Sequence, residues 1–294
     1  YELGTEEELA LFAYRVNQGE VSIHAKMTAN LDLFGSGYTN NIFNEASPNI
    51  DEALPWAPIG NGVEYTGVFD GGGCVVSNLK IDELNVGDRG FIGVVGANAV
   101  VKNIGVASGI VRGAAHTGGV VGYVNAGNVK IINCWNNADI YSEAQNIGGV
   151  VGCSNYAGGL LIEWCYNLGN VRQAKLDSAG GIIGKPHSGA QTIRNCYNAG
   201  TIYSPKYSGG IVGDRQNNAS VSIINCYNRG EVTGSGKSIM GSGNSCTVRN
   251  CYYGGAASQS QGGYGTYLPD SAMKSWALAF ALNEENMTAV TTTV

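Results

Sequence analysis

Short apolar stretches recur along the chain with a near-constant period. A Gly-Gly element opens each unit: RGFIG at 89–93, GGVVG at 118–122 and 148–152, GGIIG at 180–184, GGIVG at 209–213 and a worn KSIMG at 237–241. The start-to-start spacings are 29, 30, 32, 29 and 28 residues. A second element follows inside each unit: NCWN at 133–136, WCYN at 164–167, NCYN at 195–198 and 225–228, NCYY at 250–253. A third closes it: ADI at 138–140, GNV at 169–171, GTI at 200–202, GEV at 230–232. The stretches are too short and too rich in Gly for helices, and their Val and Ile favour strands. A propeller blade would need four strands and about 40 residues. Three strands in about 30 residues fit one turn of a parallel β-helix, stacked on the next at roughly 4.8 Å.

The expected fold is therefore all-β, one single-domain parallel β-helix over residues 1–294. Three strands per turn, seven or eight turns and the right-handed sense of parallel crossovers are expected, with an α-helical cap at each end. The N-terminal cap covers 1–20: Thr5 and Glu8 form a capping box, and Leu9, Phe12, Ala13 and Val16 line one helical face up to Gly19. Residues 21–88 hold strand-like stretches (21–27 and 75–81), a loop excursion over 34–58 and the first irregular turns. The repeats occupy 89–255. A second capping helix and a tail fill 256–294, started by Pro269, Asp270 and Ser271, with Met273, Trp276, Ala277 and Phe280 on one face.

Stacking turns residues into columns. Ile131, Ile162, Ile193, Ile223 and Val248 read as an inward aliphatic stack. Cys134, Cys165, Cys196, Cys226 and Cys251 share a column and suit small buried thiols. Parallel Cβ vectors on stacked strands lie too far apart for disulfide geometry. Asn136, Asn167, Asn198 and Asn228 read as turn residues with positive φ, their amides bonding to the next turn.

Composition narrows the function classes. Gly contributes 45 residues and Pro 6, and charged residues are only 14 % of the chain. Net charge is -6, without the basic face that nucleic acid requires. No apolar run approaches the roughly 18 residues of a membrane span. The chain starts on Tyr1 rather than Met, so a processed or excised piece of a larger protein is expected. The eight cysteines form no CxxC pair and the three histidines are scattered, so no metal and no cofactor are expected.

Over about residues 60–255 the chain resembles bacterial proteins carrying the GLUG motif, whose core reads Gly-Gly-aliphatic-Val-Gly. The segments TEEELALFAYRVNQG, WAPIGNGVEYTGVFDGGGCVVSNLKI and AMKSWALAFALN are similar to those flanking such repeats. The resemblance implies a secreted or wall-attached, adhesin-like bacterial protein, monomeric and part of a larger surface protein. Some immunoglobulin A peptidases carry such repeats beside their catalytic domain. No HExxH motif occurs here, and the family has no agreed catalytic residues to carry over.

Three groups could carry function. Trp135, Tyr166, Tyr197, Tyr227 and Tyr252 place one aromatic on each turn. They read either as a ligand-stacking face or as a packed ladder. The residues after the Gly-Gly element vary: Tyr123, Cys153, Lys185 and Asp214 fall in register, with Tyr156, His187 and Arg215 close by. Lys185 reads as a ligand contact or half of a surface ion pair. Carboxylate catalysis on a glycan would fall to Asp177 and Asp214 with His187, since Asp139 and Glu231 stand three turns apart. Glu163 and Arg194 read as a cross-strand pair, and Asp70 as the start of a tight turn. The expected function is non-catalytic adhesion to a polysaccharide, glycoprotein or host surface protein, outside the cell or on its wall. The alternatives are a polysaccharide-degrading enzyme or a structural stalk.

Overall fold

Val and Ile at alternate positions, broken every few residues by Gly or Asn, give strands of two to eight residues that cannot bury a face alone. They do so by stacking. In the computed structural model, which describes residues 1–33, 56–155, 158–175, 177–216, 218–243, 246–255, 264–274, 278 and 282, the chain is a parallel β-solenoid. It has about six turns of about 30 residues, with shorter strands extending three of its sheets to nine members. Phe34 to Pro55-side residues of the expected excursion, Tyr156, and the Trp276, Ala277 and Phe280 of the second cap lie outside the described residues.

Each turn has four faces instead of three. The first is Val129–Ile132, paired in parallel with Leu160–Glu163, and then Ser188–Arg194 and Asn218–Ile224. The second consists of two-residue strands: Trp135–Asn136, Tyr166–Asn167, Tyr197–Asn198 and Tyr227–Asn228. The third joins Leu79–Glu83, Gly109–Gly113, Asp139–Ser142, Val171–Gln173 and Ile202–Gly209. The fourth is Ile92–Val95, Val121–Val124, Val151–Ser154 and Ile183–Pro186.

The extra face comes from a corner inside the NCYN element. The residue before each cysteine is left-handed: Asn133, Trp164, Asn195, Asn225 and Asn250 have φ of 53 to 56°. The chain turns there, so the two residues after the cysteine form their own face. This corrects the expectation for Asn136, Asn167, Asn198 and Asn228. They are not the positive-φ residues but lie in strands, fully buried. Their second expected property holds. Asn136 Nδ2 donates to Asn167 Oδ1 at 2.9 Å, Asn167 to Asn198 at 2.8 Å and Asn198 to Asn228 at 2.8 Å. Each amide also donates to the carbonyl two residues on, as Asn167 does to Gly169 at 2.8 Å. A buried polar column is stable only when every group is paired, and here the repeat pairs them.

The Gly-Gly element now has a physical cause. The coil is so narrow that a Cβ on Gly149 would meet Asn167 Cγ and the Gly181 carbonyl at 2.3 Å. The second glycine of the pair is the space the asparagine column fills. The neighbouring Cys134, Cys165, Cys196, Cys226 and Cys251 are buried free thiols. Each donates to the carbonyl two residues back, Cys196 to Arg194 at 3.1 Å for example. Ile131, Ile162, Ile193 and Ile223 stack in register inside, as expected.

At the N-terminal end, Glu6–Asn17 is helical with a complete capping box between Thr5 and Glu8. It buries Leu9, Phe12, Ala13 and Val16, with Phe12 packed on Tyr65 and Phe69. This covers a sheet end that would otherwise expose unpaired strand and core. At the other end Asp270–Met273 is a helical turn whose Met273 is buried.

Candidate functional site

The aromatic column stands on the second face as expected. Its rings are parallel: Trp135–Tyr166 centroids are 5.5 Å apart at 4°, Tyr166–Tyr197 4.8 Å at 7° and Tyr197–Tyr227 4.9 Å at 4°. Each inner ring therefore has both faces occupied by its neighbours. Burial in this stack pushes the Tyr197 phenol up to about 12. What the column offers solvent is a line of ring edges and hydroxyls. Tyr252 continues the register below Tyr227, with its hydroxyl donating to Asn250 at 2.7 Å.

The variable positions after the Gly-Gly element do meet. Tyr123, Cys153 and Lys185 are register partners on the fourth face, and the Asp214 amide donates to the Gly184 carbonyl one turn back. Lys185 Nζ sits 3.0 Å from Asp214 and 3.8 Å from Asp177, with only 13 % of its side chain exposed. Both carboxylates are thus within ionic reach of one ammonium. His187 lies alongside, 3.5 Å from Asn146 Nδ2. Burial, then the charge of Lys185, pushes its imidazole down, toward the neutral form. His116 stacks on Tyr123 at 4.4 Å and meets Asp88 at 2.8 Å. Cys153 is fully buried, and burial pushes its thiol up, so it is a packing residue rather than a nucleophile. Arg215 turns to the backbone, donating to the Ala219 carbonyl at 2.6 Å.

A third region escaped the sequence reading. A groove of about 330 Å³ crosses three turns of the third face, lined by Ile110, Arg112, Asp139, Tyr141, Asn170 and Arg172. Register places Asp82, Arg112, Tyr141, Arg172 and Tyr203 in one outward column. Arg112 bonds Asp82 at 3.1 Å and lies over the Tyr141 ring at 5.5 Å, while Arg172 lies over Tyr203 at 5.2 Å. Tyr141 donates to Glu143 at 3.0 Å, and Asp139 accepts from the Asn170 side chain at 3.0 Å. The signal was present as polar residues alternating with Val and Ile. Which of them would converge depended on register between turns.

The expectations for Glu163, Arg194 and Asp70 resolve locally. Arg194 pairs with Glu163 at 2.6 Å across adjacent strands. Asp70 accepts from the Gly72 amide at 2.9 Å in a tight turn and pairs with Lys102 at 3.1 Å. Among the described residues no cluster of His, Cys, Asp or Glu has metal-binding geometry, and no helix is long and apolar enough to cross a membrane.

No protein-family profile matches the chain. Over 100 residues it is 33 % identical to halomucin of Haloquadratum walsbyi, which is 33 % of this chain and 1 % of that protein. The chain thus spans a very small part of that relative. Among solved structures it is similar to the crystal structure of a candidate immunoglobulin A1 protease from Bacteroides ovatus. That match has a TM-score of 0.69 at 21 % identity, covering 98 % of this chain and 88 % of that one. At that identity the likeness concerns the fold.

Proposed function

We propose that this chain is an extracellular, non-catalytic adhesion module that binds saccharide on the outside of its coil. The observation that carries the reading is the groove around Tyr141. It is concave, spans three turns, and lines an apolar floor (Ile110) with an aromatic ring and planar polar side chains. That is the composition that holds a sugar ring: apolar contact on one side, directional hydrogen bonds around it. Successive turns repeat at roughly 4.8 Å, close to the length of one pyranose unit, so neighbouring sugars would meet equivalent positions. The outward ring edges of Trp135, Tyr166, Tyr197, Tyr227 and Tyr252, with Lys185, are candidate accessory contacts. The limited identity to halomucin supports a surface location, and the GLUG-like repeat supports a part in a larger bacterial surface protein.

The test is binding of soluble polysaccharides to the chain, with release of reducing ends assayed in parallel. We expect binding without new reducing ends, and a loss of at least about tenfold in the Tyr141→Ala/Arg172→Ala double variant. Undiminished binding in that variant removes the groove from the account. A second reading, glycan cleavage, is favoured by one observation only, the shared contact of Asp177 and Asp214 with Lys185 beside His187. Release of reducing ends that disappears in Asp214→Asn would select it over adhesion.

A further inference from the structure

The corner before the cysteine column, where Ile104 stands in for cysteine on one turn, repeats the same left-handed backbone on successive turns. Gly73, Asn103, Asn133, Asn195, Asn225 and Asn250 all have positive φ there, and Gly and Asn are the residues that tolerate it. Trp164 is the exception, with φ 54°. A bulky side chain in that conformation is strained, and such strain persists where the residue serves something else.

The neighbours record the interruption. Along this corner Asn133 donates to Asn103 at 2.9 Å, Asn225 to Asn195 at 3.2 Å and Asn250 to Asn225 at 2.8 Å. At Trp164 the ladder stops. Asn195 turns aside to Glu163 at 3.4 Å, and among the described residues nothing donates to Asn133 Oδ1. The indole itself is 55 % exposed, the most exposed of the large apolar side chains described. On the same turn Trp164, Tyr166, Leu168, Asn170 and Arg172 alternate with buried residues, so all point outward from that turn. Leu168 is 40 % exposed.

We infer that Trp164 is a saccharide-stacking anchor: an exposed indole that holds a pyranose ring by its apolar face, with the open Asn133 amide oxygen accepting from a sugar hydroxyl. The chemistry of the surroundings selects this occupant. The charges that flank it in sequence and register, Glu163 and Arg194, already pair with each other at 2.6 Å, so they are not free to hold an ionic ligand. A protein partner needs about 800 Å² on each side, whereas one indole and one leucine on a single turn present far less. One sugar ring needs only one aromatic face. The inference shares the saccharide reading of the proposed function but rests on a different face of the coil.

The experiment uses the full chain titrated with soluble hexasaccharides of glucose and of N-acetylglucosamine, by calorimetry and indole fluorescence, with Tm measured in parallel. Trp164→Asn restores both the tolerated residue and the amide ladder. It is expected to raise Tm by about 2 °C while weakening saccharide binding about tenfold or more. Trp164→Tyr keeps a ring and should retain measurable binding. Unchanged binding in Trp164→Asn, or a lowered Tm, overturns the inference. If the Tyr141/Arg172 double variant loses binding while Trp164→Asn keeps it, the proposed function stands and this site falls. If the parent chain binds neither hexasaccharide at millimolar concentration, the inference is overturned and so is the reading it shares.

Discussion

Two asparagine ladders run along the coil, one inside and one outside, and they have met opposite fates. The inner ladder, Asn136 to Asn228, is unbroken, fully buried and bonded at 2.8 to 2.9 Å. The outer ladder, from Asn103 to Asn250, is solvent-facing and interrupted by Trp164. The same amide differs in what replaces it when lost. Inside there is no water, so a missing amide leaves its neighbours unpaired. Outside, water takes over, and the only remaining constraint is the left-handed backbone. The outer corner is therefore where the fold tolerates a residue chosen for another purpose.

The comparison can be broken most severely from the inside. Gly149→Ala drives a Cβ into Asn167 and the Gly181 carbonyl, and should destabilise by about 3 kcal/mol, read by chemical denaturation. Asn167→Ala keeps the space but leaves Asn136 and Asn198 short of a partner, with an expected loss of about 2 kcal/mol. The same change outside, Asn225→Ala, breaks the bonds to Asn195 at 3.2 Å and from Asn250 at 2.8 Å, which water replaces. It should be felt mainly through the positive φ, at about 1 kcal/mol. A loss in Asn225→Ala equal to that in Asn167→Ala would erase the distinction between the ladders.

The smallest effect concerns pH. His187 is held toward its neutral form by burial and by Lys185. The folded chain therefore binds fewer protons there than the unfolded chain. Its contribution is complete above about pH 6.5, the unfolded value, and declines as pH falls below it. Thermal melts of the parent and His187→Gln from pH 7.5 to 5 should converge as the pH drops. A constant gap between the two would show that the ring does not titrate with folding.

Much of the coil was legible in the chain because a solenoid writes its long-range contacts as a local period. The pairings Ile131–Ile162, Glu163–Arg194 and Tyr166–Tyr197 follow from a spacing of about 30 residues. The register of Lys185 and Asp214 was legible for the same reason. The location of the corner was not. Both asparagines of NCYN suit a left-handed turn by residue type, and only the narrow interior, where Gly149 makes room for Asn167, puts the second one inside.

By itself, then, the sequence determined the repeating unit, the stacked parallel architecture, the helical N-terminal cap and the columns that line the interior, because each depends on type and period along one chain. The tertiary structure alone decided which face is concave, that the aromatic rings occupy one another's faces, and that Trp164 stands strained and exposed where its counterparts are asparagine. Those properties depend on how four faces meet at corners and on what fills the space beside each residue, and neither is encoded in the spacing between repeats.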